Sequence, residues 1–283
     1  MAVRRRTLSE LAWSVLTYAI LAVLLFYVLF PFLWVLSTSL KPESQILTAR
    51  PVLVPTTVTL QHYQLVLSRT LFVTYFRNSL LVATATAVSA LVVGSLAAYA
   101  FSRMHNSPGI KPIALAMFLA PMIPGVLIIL PLYLFMYRVG LLDTYWSMII
   151  AYTTFAIPFS TWMLKGYFDS LPIELEDAAR VDGADRLRVI TRIVLPIALP
   201  GVVATGLYAF VLAWNEFLFG YTFVSSDSTR TLTPGIALFI GLWTVQWGSL
   251  TAAATLGVVP VAIAFAYLQK YLVAGLTSGS VKG

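Results

Sequence analysis

Residues 170–201 read SLPIELEDAARVDGADRLRVITRIVLPIALPG, and with the preceding Asp169 they gather six carboxylates and four arginines into one short stretch. A segment so charged does not lie in hydrocarbon, where ionised side chains cost several kcal/mol each. The chain around it is the opposite. Of 283 residues, 59% are apolar and 10% charged, with a mean hydropathy of +0.88, whereas soluble chains carry about 25% charged residues. Too little polar surface remains to cover a water-soluble globule. The expectation is an all-α integral membrane protein with one structured polar element outside the bilayer.

A helix needs about 20 apolar residues to cross the hydrocarbon core. Six stretches meet this: 11–36, 80–101, 113–137, 146–164, 197–219 and 250–273. The first follows Arg4, Arg5 and Arg6, but its apolar run exceeds that of a secretory signal and no small-residue cleavage site follows, so it reads as a retained anchor. Residues 232–247, with Pro234, Gly235, Gly241 and Gln246, are too interrupted to span and read as interfacial or re-entrant. With the N-terminus inside, the inner side holds 12 Lys and Arg against six outside, which places both termini in the cytoplasm. The net charge of +7 is then an orientation signal and not a nucleic-acid surface. The absence of cysteine excludes a thiol nucleophile, a disulfide framework and cysteine metal sites. His62 and His105 form no ligand cluster and read as loop residues.

The whole chain reads as one membrane domain whose polar loop, 170–196, folds as helix–turn–helix. Pro172 and Glu174 suit a helix start after Ser170. Leu175, Ala178, Ala179 and Asp182 share a face at helical spacing. Gly183 supplies the left-handed backbone for a tight turn. Asp182 is expected to cap the second helix with Asp185 at the capping-box position. Leu187, Ile190 and Val194 form an apolar stripe there, with Arg188 and Arg192 stacked one turn apart. Such an element either docks into a partner's groove or braces the helix bundle. Pro121, Pro124 and Pro131 must kink or unwind the third span, either lining a cavity or bending the helix for packing.

Asp177-Ala178-Ala179, then Asp182-Gly183-Ala184 and Ile193-Val194-Leu195-Pro196, resemble the EAA motif of ABC-importer permeases, with Asp177 where the motif opens on glutamate and Glu176 just before it. Ser39-Leu40-Lys41-Pro42, Arg77-Asn78-Ser79-Leu80, Trp214-Asn215-Glu216-Phe217 and the terminal QKYLVAGLTSGSVKG at 269–283 resemble carbohydrate-import permeases of the maltose-transporter (MalG-like) type. The resemblance covers essentially the whole chain. It implies a type I importer permease fold of the bacterial or archaeal cytoplasmic membrane. It also implies a second, related permease subunit, two nucleotide-binding ATPase subunits and an extracytoplasmic solute-binding protein.

ATP and Mg would then belong to the ATPase subunits, and this chain, which has no Walker A sequence, would carry no cofactor and catalyse nothing. By the same resemblance, Glu176, Asp177, Ala178, Ala179, Asp182, Gly183, Ala184, Leu187 and Arg188 form the ATPase-coupling surface. The tail residues Gly279, Ser280 and Lys282 would reach the ATPase dimer, although composition alone reads residues 275–283 as disordered. The implied cargo is a sugar, with glycerol phosphate or a polyol as the alternative. An intramembrane enzyme is disfavoured, because no Ser/His, di-Asp or metal-ligand constellation lies within the spans.

Glu216 is the one carboxylate inside an expected span, and counting about 1.5 Å per residue from Gly201 puts it in the outer half of the bilayer core. Trp214, Asn215 and Glu216 read either as sugar-pathway residues or as a structural or gating group. Asn78 reads as a cap of the second span or as a pathway residue. Tyr133, Tyr137 and Trp146 read as interfacial anchors.

Overall fold

The computed structural model describes residues 8–104 and 107–278. They fall into two compact units, residues up to 70 with 239–256, and residues 71–238 with those from 257 onward.

In the first unit, α1 (Leu8–Ser39) carries the apolar span Trp13–Ser39, which has none of its most apolar window buried within the chain. A helix that is hydrophobic all round has lipid or another apolar partner as its solvent. Beyond it, α2 (Glu43–Ile46) and α3 (Gln61–Arg69) organise the polar segment. His62 is not a loop residue: it is buried on α3, with Nε2 2.9 Å from the Lys41 carbonyl. Its imidazole occupies the space beside Gly248, where a Cβ would fall 2.1 Å from the ring. His105 lies outside the described residues.

The second unit is built around α4 (Phe72–Arg103). Next come α5 (Ile110–Leu119) with a 3-10 turn over Ala120–Met122, α6 (Gly125–Arg138) and α7 (Tyr145–Asp169). The polar loop forms α8 (Glu174–Val181) and α9 (Arg186–Val189), and a π-turn over Ile190–Val194 leads to α10 (Leu195–Ile197). Three further helices follow: α11 (Leu199–Trp214), α12 (Leu218–Phe223) and α13 (Leu232–Ala237). The last, α14 (Trp247–Ser278), contributes its residues from 257 onward to this unit.

Helix α4 packs along α7 and α11 through small side chains: Ala83, Ala87, Ala90 and Ala98 of α4, Ala151, Ala156 and Ser160 of α7, and Ala204, Ala209 and Ala213 of α11 are all buried. Small residues let backbones approach closely, which is how helices associate where lipid is as apolar as the side chains. At Gly94 a Cβ would sit 3.2 Å from Ser160 Cβ.

Among the described residues, four helices are long and apolar enough to cross a membrane, and up to six if each of two bent pairs counts as one span. The expected third span, 113–137, is not one helix. It breaks between Met122 and Gly125 with a bend of 105°, where Pro124 holds extended ψ at the start of α6 and Pro121 sits inside the 3-10 turn. The fifth, 197–219, is also broken. A bend of 87° precedes α11, and the helix ends at Trp214, so its 16 residues reach about 24 Å at 1.5 Å per residue. The expected second span starts earlier than its apolar core, at Phe72. Residues 232–247 form α13 and an antiparallel bridge between Ile240 and Val245, not a span.

Candidate functional site: the polar loop and the break after α11

Glu174, Glu176 and Asp177 crowd the first turn of α8, where unpaired backbone N–H groups favour negative charge. The helix closes in a Schellman turn. Ala184 N–H donates to Ala179 O at 3.0 Å and Gly183 N–H to Arg180 O at 3.0 Å, with Gly183 at φ +85° as this motif requires. That turn occupies Asp182 and Gly183, so Asp182 does not cap the next helix as expected. Asp185 does, its Oδ1 accepting from Arg188 N–H at 2.7 Å.

The second helix presents a different stripe from the expected one. Val189, Ile190 and Val194 are buried against Ala98, Tyr99, Leu164 and Phe168, while Leu187 is 61% exposed. A π-turn holds one more residue per turn than the sequence period assumes. Ala179 and Ala184 are half-buried against the same cluster. The outward face holds Asp177, Ala178, Asp182, Gly183, Leu187 and Arg188, with Val181 88% exposed among them.

Glu176 does not share that face. Its side chain is 2% exposed. One oxygen accepts from Arg103 Nε at 2.7 Å and the other from the Tyr99 hydroxyl at 2.7 Å. Arg103 also donates to the carbonyls of Phe168 at 2.9 Å and Leu171 at 3.2 Å. One guanidinium thus joins the ends of α4 and α7 to α8. Neighbouring helical residues point about 100° apart, so with Glu176 inward Asp177 faces out, paired at the surface with Arg180. Of the two acids expected on the coupling surface, Asp177 stands on the outward face and Glu176 does not. Tyr99 and Arg103 were not legible as site residues; their one signal was a second carboxylate ahead of the motif position.

At the break after α11, Glu216 lies past the helix end, so counting along a continuous helix misplaces it. Its two carboxylate oxygens accept from the N–H groups of Phe219 at 3.0 Å and Gly220 at 3.1 Å, starting α12. Trp214 is buried, its Nε1–H donating to Gly257 O at 3.1 Å, with Phe76 edge-on at 5.5 Å and Phe210 stacked at 5.7 Å. Its ring is engaged within the chain. Asn215 is exposed, with its amide on Val211 O.

Asn78 is not a helix cap, because α4 begins six residues before it. Buried in the helix, it donates to the carbonyls of Ser228 and Arg230 at 2.9 Å each and accepts from the Tyr145 hydroxyl at 2.8 Å. The segment it ties down is fixed also by Asp143. Burial acts to raise the Asp143 carboxyl, but donors from Ser226, Ser225 and Thr229 outweigh it and hold the group below the usual carboxylate range. The tail residues Gly279, Ser280 and Lys282 lie outside the described residues.

Residues 90–278, which contain the polar loop and the break after α11, match the family model described as "Binding-protein-dependent transport system inner membrane component". The chain belongs to this family. It is a multi-pass permease of the inner membrane and a transport subunit of an ABC importer. It is 38% identical to the inner membrane ABC transporter permease protein YcjP of Escherichia coli (strain K12), over all of both chains. It is also 36% identical to the trehalose/maltose transport system permease protein MalG of Thermococcus litoralis, over 90% of this chain and 92% of that one. Its fold matches a chain in the crystal structure of a bacterial ABC transporter involved in the import of the acidic polysaccharide alginate. There the TM-score is 0.81 at 21% identity, over 94% of this chain and 99% of that one.

Proposed function

We propose that this permease forms half of the pathway of an ATP-driven sugar importer and takes its power stroke through the outward face of α8 and α9. Two things support the cargo class: the relative in Thermococcus litoralis bears a trehalose/maltose transport name, and the motifs resemble the carbohydrate-import group. The observation that carries the coupling role is the Schellman turn at Gly183. It presents Asp177, Val181 and Leu187 as an acidic and apolar surface on helices otherwise anchored to the core. Such a surface suits a groove on a partner. In this reading the polar loop and both termini face the cytoplasm, ATP and Mg belong to two ATPase subunits docked there, and a second related permease completes the pathway. A solute-binding protein delivers the cargo from outside.

The test is reconstitution of the permease pair with its ATPase and binding protein in vesicles, measuring ATP hydrolysis with each solute. A disaccharide such as trehalose or maltose is expected to stimulate hydrolysis several-fold. Stimulation by glycerol phosphate and by no carbohydrate would contradict the cargo class.

A further inference from the structure

Two adjacent carboxylates at the start of α8 have opposite surroundings. Asp177 stands in solvent. Glu176 is enclosed, with one oxygen on Arg103 and the other on Tyr99, both residues of α4. Arg103 spends its other nitrogens on Ser102 Oγ of α4, on Phe168 O of α7 and on Leu171 O just past α7. A second link runs from Arg180, at the other end of α8, to the Tyr99 hydroxyl at 3.2 Å. A surface ion pair is slack, because two long side chains can separate into water at little cost. A buried pair resists it, because separation takes Arg103 and Tyr99 from a carboxylate that is 2% exposed and leaves it only the longer 3.8 Å contact with Arg180 of its own helix. The contact therefore transmits displacement instead of absorbing it, and the helix it holds, α4, packs along α7 and α11.

We infer that Glu176, Arg103 and Tyr99 form an internal latch that makes α8 and the cytoplasmic end of α4 move as one body. Motion of the docked loop is thereby delivered to the pathway-forming helices. Glu176 is a positioning residue and Asp177 the partner contact. The inference rests on the coupling reading above and adds to it a division of labour between the two acids.

The test is a double-mutant cycle in the reconstituted importer, with Glu176→Gln, Arg103→Gln and the pair, reading solute transported per ATP hydrolysed. A purely structural role would lower the amount of folded importer and leave that ratio unchanged. Each single variant is expected to retain the ATPase on co-purification and its basal hydrolysis, while the ratio falls about tenfold, within the range of coupling energies carried by one contact. Because both act through the same contact, the double variant should match the worse single variant within about twofold. A double variant whose loss is the product of the two, about a hundredfold, would overturn the latch. So would release of the ATPase by Glu176→Gln.

If Arg103→Gln does not accumulate, Tyr99→Phe removes one bond to the same carboxylate and should likewise show no added loss on the Glu176→Gln background. If the wild-type permease does not retain the ATPase, the coupling reading fails and the latch with it. If it does, and Glu176→Gln transports at the wild-type ratio, the latch alone fails.

Discussion

Replacing Gly183 with proline is expected to abolish ATP-driven uptake, by a hundredfold or more, while the permease remains inserted at its normal abundance. Gly183 sits at φ +85° and donates its N–H to Arg180 O. Proline fixes φ near −65° and has no N–H. The turn between α8 and α9 therefore cannot form at all, and the outward face that holds Asp177, Val181 and Leu187 is dismantled. Alanine provides the graded control. A Cβ at this position meets nothing within 4 Å, so Gly183→Ala carries only the left-handed backbone cost of about 1–2 kcal/mol. It should reduce uptake several-fold without abolishing it. Uptake and ATPase co-purification, measured at matched membrane abundance, check both variants. Equal activity of the proline variant and the wild type would remove the turn from the mechanism.

Glu176→Lys is expected to fail differently, by loss of the folded permease. The lysine would place an ammonium where a carboxylate now lies 2.7 Å from Arg103 Nε, on side chains that are 2% and 11% exposed. Breaking a buried pair costs about 3–5 kcal/mol, and the like charge adds to it. Against a total stability of about 5–15 kcal/mol, abundance in the membrane should fall at least tenfold and the unfolding temperature should drop. Asp177→Lys alters a side chain that is 59% exposed and paired at the surface with Arg180, a contact contributing about 0–1 kcal/mol. Its abundance should stay normal while ATPase retention is lost. Membrane abundance and co-purification separate the two acids, and identical behaviour of both variants would contradict their opposite placement.

The membrane class and the six apolar stretches were legible because hydropathy and charge asymmetry are summed over many residues. Where the helices break was not. Hydropathy counts residues and carries no direction, so 113–137 read as one span although Pro121 and Pro124 marked the place of its bend. The stretch 197–219 read as one span although α11 ends at Trp214. The same error displaced Glu216 from the break, where it starts α12, to a point along an imagined helix. Within the polar loop, the glycine turn was legible from one residue, since few others accept that backbone. Which of two neighbouring carboxylates faces inward was not, because the answer lies with Arg103, 73 residues away, brought near by α4 and α7 packing together. Asn78 is not the cap it was read as for a related reason: α4 continues N-terminally through Phe72 to Arg77, and the carbonyls that Asn78 meets belong to Ser228 and Arg230, 150 and 152 residues away.

The most direct test of the central claim uses the absence of native cysteine in the chain. Single substitutions Val181→Cys and Glu176→Cys are introduced into the assembled importer, and crosslinking to the ATPase subunit is measured with a short bifunctional thiol reagent, against a set of single cysteines on that subunit. Efficient crosslinking is expected from position 181 and none from position 176. Failure of position 181 to crosslink in an active importer, or crosslinking from position 176, would contradict the opposite placement of the two positions.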